Sequence, residues 1–228
     1  MARPSPGTAA RPPDPPRLEG DLDDAALDAA AIVAGAGWSR ARVDGADLSG
    51  ARGRAVAFEE CRLERVELSG ARLPALRLVD TELRACDLAN VAAVEGSMRR
   101  VSVDASRMTG LQWTAGRIAD TTFRDCRMDL ATFAGTRMER VSFERCRLTG
   151  ADFREARLHG VGLVDCDLSD ADLSGAGLTR CELRGCTLTA VRGIEALRGA
   201  AMPWADIVGA APIFAAALGI RVLDDDAS

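Results

Sequence analysis

From Trp38 to Leu188 every fifth residue is a large apolar one, with two exceptions, over 31 consecutive pentapeptides without insertion or deletion. These centre positions hold 15 Leu, five Phe, four Met, two Val, two Trp and one Ile; only Gly53 and Ala93 are small. The position two before each centre, from Ala36 to Cys186, holds ten Ala, seven Cys, six Val, three Thr, two Gly, two Leu and one Ser. No member of either set is charged, although 28% of the chain is. A period of five matches neither the 3.6 of a helix nor the 2 of a strand. It requires a chain that turns a corner every five residues. Four corners return it above its start, so the structural repeat is four pentapeptides. Successive coils then pair as parallel strands about 4.8 Å apart. Each side contributes one large and one small inward residue, which fills the interior. Coils of this kind are stable only as an array, because none can bury its apolar face alone.

The segments "ADLSG" at 46–50 and 171–175, "CDLSD" at 166–170 and "ADFRE" at 151–155 resemble the A(D/N)LXX motif of the pentapeptide-repeat family. The resemblance runs in one register over roughly residues 38–193. It implies an all-β fold, a right-handed quadrilateral (pentapeptide-repeat) β-helix with short helices capping the ends.

The flanks have their own character. Six of the nine prolines lie in residues 1–16, which reads as a disordered Pro-rich tail over 1–20. "DLDDAALDAAAIVAGAG" (21–37) suits an N-terminal cap containing a short helix, its acidic start placed for the helix dipole. A cap is needed because an open parallel edge invites another chain. After Gly193 the period of five is lost. Pro203 and Pro212 fit first helical turns, giving helices near Pro203–Gly209 and Ala211–Leu218. Residues 194–223 thus read as a C-terminal helical cap and dimerisation module, and 224–228 as an acidic tail. Trp204, Ile207, Val208, Ile213, Phe214, Leu218 and Ile220 exceed what covering one coil end needs, so they are the candidate dimer interface. "AAALGIRV" also resembles the ending of quinolone-resistance members of the family, which pair through that end. The alternative is a lid on a monomer.

Catalytic signals are missing. All seven cysteines occupy the small inward slot, and Cys126, Cys146, Cys166 and Cys186 recur at every fourth pentapeptide, in one column with Cys86. Their spacing is not that of a zinc site, so they read as small buried hydrophobes. The single His, His159, follows a centre and faces outward. There is no phosphate loop, no Ser/His/Asp set and no cofactor fingerprint, so the expectation is a non-enzyme with no cofactor and no metal. No apolar run is long enough to span a bilayer as a helix, and no h-region opens the chain. Both observations suggest a cytoplasmic protein with no membrane association.

The resemblance implies a partner: family members of this architecture bind DNA gyrase or topoisomerase IV as negatively charged mimics of duplex DNA. The expectation is a homodimer joined at its C-terminal ends, protecting the enzyme from quinolones or a natural poison. The net charge of −5 disfavours direct nucleic-acid binding. It lies in the flanks, since residues 38–193 hold 24 Arg against 23 acids. The candidate partner-binding acids are Asp165, Asp167, Asp170, Asp172 and Glu182, near the expected two-fold axis. A column of Arg107, Arg127 and Arg147 should stack outward, leaning on acids such as Asp125 and Asp129, because like charges directly stacked repel. The competing expectation is an interaction scaffold with a different protein target. Finally, Trp113 falls one coil beyond Ala93, near Gly96, which suggests compensated packing.

Overall fold

The computed structural model of the protein describes residues 10–221. The chain winds as a parallel β-solenoid of about eight turns, and from Gly37 onward its strands pair residues four pentapeptides apart. Leu78 pairs with Met98, Met98 with Ile118, Ile118 with Met138 and Met138 with Leu158. Four sides follow in chain order. Side 1 carries centres such as Phe58 and Leu78, side 2 Leu63 and Leu83, side 3 Leu68 and Leu88, side 4 Leu73 and Trp113. Sides 1 and 2 are strands, fused across their shared corner in Arg77–Arg84, Ser97–Asp104, Arg117–Arg124 and Arg137–Glu144. Sides 3 and 4 are held by single bridges in each coil, from Asp47↔Glu67 and Arg52↔Arg72 to Asp167↔Thr187 and Asp172↔Arg192.

The corners explain the period. Among the described residues, all 22 non-glycine residues with positive φ, from Arg40 to Ala190, stand at the fifth position of a repeat. Each left-handed residue turns the chain, at a cost of about 1 kcal/mol or more that stacking must offset. The two uncharged slots point inward. Apart from Trp38 and Leu178, nearer the ends, every centre is buried. Aromatic rings stack along columns, Phe123 on Phe143 at 5.0 Å and Phe133 on Phe153 at 5.2 Å.

The small slot does more than keep the interior compact. Where it holds Cys, Ser or Thr, the side chain donates to backbone carbonyls around the corner. Thr136 Oγ1 reaches the Trp113 carbonyl at 2.7 Å, and Cys126 Sγ lies 3.2 Å from the Arg124 carbonyl. These residues are small enough for the slot and bring a donor to carbonyls that would otherwise be less satisfied. Six of the seven cysteines are buried; Cys186, close to the last coil, is only half-buried, against the expectation for all seven. Burial pushes the Cys61, Cys86 and Cys181 thiols up. Cys146 and Cys166, each beside the thiol of the preceding coil, are pushed up to about 12. These thiols are poor nucleophiles.

Trp113 is fully buried, and the ladder continues through its coil without a slip. Its indole fills the space left by two glycines. A Cβ on Gly96 would stand 2.7 Å from Trp113 Cζ2, and one on Gly116 2.7 Å from Nε1.

The N-terminal flank departs from expectation. Residues 21–37 hold only a 3₁₀ turn at Ala29–Ala31, where a short helix was expected, and Asp23–Asp24 pair in parallel with Ala41–Arg42 as a partial coil. Residues 10–20, expected within a disordered tail, run extended along side 2 in the reverse direction, from the coils of Ser142 and Gly162 to Arg40. Residues 1–9 and the acidic 224–228 lie outside the described residues.

Candidate interaction surface

Positions on the coil decide which charged side chains meet. Asp165, Asp167, Asp170 and Asp172 belong to a single coil. Asp165 stands at the corner of sides 2 and 3, Asp167 on side 3, Asp170 at the next corner and Asp172 on side 4. Asp165 and Asp170 are exposed, Asp167 and Asp172 half-buried. Asp152 stacks directly under Asp172 and extends this acidic band, a neighbour the sequence reading missed although the spacing of four pentapeptides points to it. Glu182 does not join them. It lies on side 2, opposite Asp172, against Arg184.

The aspartates of the A-D-L motif have a local task. Asp167 Oδ1 accepts the Ser169 N–H at 2.9 Å and its hydroxyl at 2.6 Å, and Asp172 Oδ1 accepts the Ser174 N–H at 2.9 Å. The same turn recurs at Asp47 with Ser49 and at Asp87 with Ala89. An Asp that caps the N–H two residues on stabilises the corner that follows. The serine hydroxyls hold Asp167 and Asp172 below the ordinary carboxylate range, so both are charged at neutral pH. Asp172 also accepts from Arg192 Nε at 3.1 Å, Asp167 Oδ2 from the Thr149 hydroxyl at 3.1 Å, and Asp152 takes both arms of Arg154 at 3.0 and 2.7 Å.

The arginine column forms as expected, with Arg107, Arg127 and Arg147 stacked. Arg107 pairs with Asp87 at 3.0 Å, and Arg147 donates to Asp129 at 2.7 Å. Asp125 instead takes both arms of Arg145, at 2.7 and 2.8 Å. Pairs of this kind between adjacent coils are spread over the surface, which suits a rod whose charges largely balance.

The C-terminal segment forms the helices Trp204–Gly209 and Ala211–Ala217, and Asp206 docks the first by accepting the Gly185 N–H at 2.7 Å. The seven apolar candidates divide. Ile213 and Phe214 pack on the core, and Ile207 is half-buried. Trp204 and Leu218 are each 76% exposed, Ile220 56% and Val208 55%. A lid would need only the first group.

Residues 136–195 match the family described as pentapeptide repeat region. That match falls inside a four-sided coil whose register runs unbroken on both sides of it. The chain carries a pentapeptide-repeat region. No curated protein matches it. Solved pentapeptide-repeat structures are similar at low identity. A structure of QnrB1, a plasmid-mediated fluoroquinolone resistance protein, aligns at 14% identity with a TM-score of 0.39, over 82% of this chain and 99% of that one. HetL, involved in heterocyst differentiation regulation in the cyanobacterium Nostoc sp. strain PCC 7120, aligns at 18% identity with a TM-score of 0.30, over 76% and 92%. Among the described residues no helix is long and apolar enough to cross a membrane.

Proposed function

We propose that the protein is a non-enzymatic, duplex-shaped homodimer that binds DNA gyrase or topoisomerase IV where the enzyme holds the DNA segment to be cut, and so protects it from quinolone-like or natural poisons. The reading is carried by one juxtaposition. Exposed Trp204, Val208, Leu218 and Ile220 lie just beyond the last coil, and the aspartate band at 165–172 spans two sides of a coil close by. Pairing through the apolar end sets two acidic bands about a two-fold axis, as an enzyme with two-fold symmetry requires. The dimensions agree. About eight coils at about 4.8 Å make a rod of about 38 Å, and two such rods span about 22 base pairs at about 3.4 Å each. A filled interior leaves no enclosed site for chemistry, which supports the non-enzymatic part.

The alternative, a scaffold for another protein, is favoured by the turn-forming role of Asp167 and Asp172 and by the pairing of Asp172 and Glu182 with arginines. A supercoiling assay with purified protein, with and without a fluoroquinolone, separates the two. The mimic reading expects inhibited supercoiling or reduced drug-induced cleavage, weakened by added salt. No change in either at micromolar protein, with no gyrase complex at low salt, overturns it in favour of the scaffold.

A further inference from the structure

Residues 10–20 have the composition of a tail but the contacts of a ligand. The Arg17 N–H donates to Asp80 Oδ1 at 3.0 Å, and the Asp14 N–H to Asp120 Oδ1 at 3.4 Å. Asp80 and Asp120 occupy the corner column between sides 1 and 2, two coils apart, which is about 9.6 Å at about 4.8 Å per coil. Three residues of a polyproline II helix rise about 9.3 Å. The two spacings coincide, so one strap period of three residues matches two coils. Burial follows the same period at Ala10, Pro13 and Pro16, which are half-buried together with Asp14 and Leu18, while Arg11, Pro12, Pro15 and Arg17 are exposed.

The coil is shaped to receive this segment. On the first of side 2's two outward slots the residues are long at Arg62, Glu82 and Glu182, but small over four successive coils at Ser102, Thr122, Ser142 and Gly162, while the second slot carries charged walls such as Arg84, Asp104 and Arg124. The prolines lie along this track. The corner column alternates in sign: Arg100 donates to Asp80 at 2.6 Å, and Arg140 grips Asp120 with both arms at 2.6 and 2.7 Å. Each carboxylate is therefore already neutralised and oriented by the coil. It offers its remaining acceptor capacity to an N–H group and holds the charged form that makes such a bond strong.

We propose that side 2 is a binding face for polyproline II segments that present N–H groups three residues apart, and that residues 10–19 are its occupant in cis. The face reads a periodicity rather than a side chain. Proline supplies the conformation at little entropic cost, and the two non-proline residues within 12–17, Asp14 and Arg17, supply the donors.

Proline substitution at these two positions tests the idea, because it keeps the polyproline conformation and removes the N–H along with the side chain, the latter controlled for by alanine. The full-length chain carrying Asp14→Pro and Arg17→Pro has a weakened strap. A synthetic peptide of residues 9–20 should bind it, measured by calorimetry, with circular dichroism checking that the coil is intact. The same peptide should bind the unaltered chain far more weakly, since a tethered strap competes at an effective concentration in the millimolar range. Two altered peptides isolate the donor. Arg17→Ala loses the guanidinium and keeps the N–H, whereas Arg17→Pro loses both, and the second should bind about tenfold more weakly than the first. Equal binding of these two peptides overturns the proposal. So does equal binding of the natural peptide to both chains, or no binding to the strap-weakened chain.

Discussion

The packing of Trp113 gives the sharpest quantitative test of the coil. A methyl group on Gly96 would approach Trp113 Cζ2 to 2.7 Å and Cη2 to 2.9 Å, with the Ala93 carbonyl next at 3.0 Å. A methyl on Gly116 would approach the Gly96 carbonyl oxygen to 2.6 Å as well as the indole. Gly96→Ala and Gly116→Ala should each cost about 1–3 kcal/mol, the range for overpacking a close-packed interior. Trp113→Leu removes apolar contact and leaves a void, again about 1–3 kcal/mol. It also removes an indole N–H that is buried without a partner among the described residues, which returns about 1–3 kcal/mol. These terms largely cancel, and the single Trp113 change should be mild. The double variants then diverge. Trp113→Leu should rescue most of the Gly96→Ala loss, giving a favourable coupling of about 1–2 kcal/mol. It should not rescue Gly116→Ala, whose clash with a carbonyl persists. Denaturant midpoints for the three single variants, the two doubles and the parent close both cycles. Additive losses at Gly96, or equal rescue at both glycines, would show that Trp113 does not occupy the space assigned to it.

Three further outcomes are expected. Leu168→Asp buries an unpaired charge in the stacked interior and should prevent folding, a loss of several kcal/mol, while Leu168→Met should be tolerated because four centres are already Met; a soluble, cooperatively melting Asp variant would refute the register. Trp204→Asp combined with Leu218→Asp should halve the mass seen by sedimentation without changing the circular dichroism, and a monomeric parent would show that these side chains join nothing. Arg140 holds the Asp120 carboxyl below its ordinary value; at Asp80, burial pushes the carboxyl up, but Arg100 and the Arg17 N–H pull it further down. Both groups thus contribute stability that is present above the unfolded carboxylate value of about 4 and lost as pH falls through the lower folded values. The thermal midpoint should be level between about pH 5 and 7 and drop below about pH 4, less steeply in Asp120→Asn.

What could be read in advance follows from where the constraint acts. The coil was legible because each inward slot is tested at every repeat, so one charge in either inward set would have betrayed a wrong register. The Trp113 compensation was legible in part, since Ala93 and Gly96 fall in the same frame. The docking of residues 10–20 was not, because the strap's acceptors lie 63 and 106 residues away, and Asp80 and Asp120 occupy slots where any charge is tolerated. The short helix expected in the N-terminal cap gave way for a related reason: pairing of Asp23 and Asp24 with the first full coil overrode the helical preference of an alanine-rich segment. In the C-terminal apolar set, sequence could not say that Ile213 and Phe214 turn inward while Trp204 and Leu218 do not. That depends on the angle at which two short helices meet the coil. The local role of Asp167 and Asp172 did carry a signal, a serine two residues on whose N–H each aspartate accepts.

The four-sided coil makes the molecule blind in one respect and sensitive in another. Inserting one pentapeptide would leave the interior pattern intact, since every side accepts the same large and small residues. Outside, it would turn all later residues by a quarter of a revolution. Asp120 would leave the line of Asp80, the small track would break, and the acidic band would face elsewhere relative to the strap. A whole coil of four pentapeptides would lengthen the rod by about 4.8 Å and leave every line straight. Stability alone therefore permits growth in steps of five, whereas anything that reads the outside along the axis permits only steps of twenty. Length variants among similar chains should sort by that rule, and those that break it mark the point beyond which no ligand spans the surface.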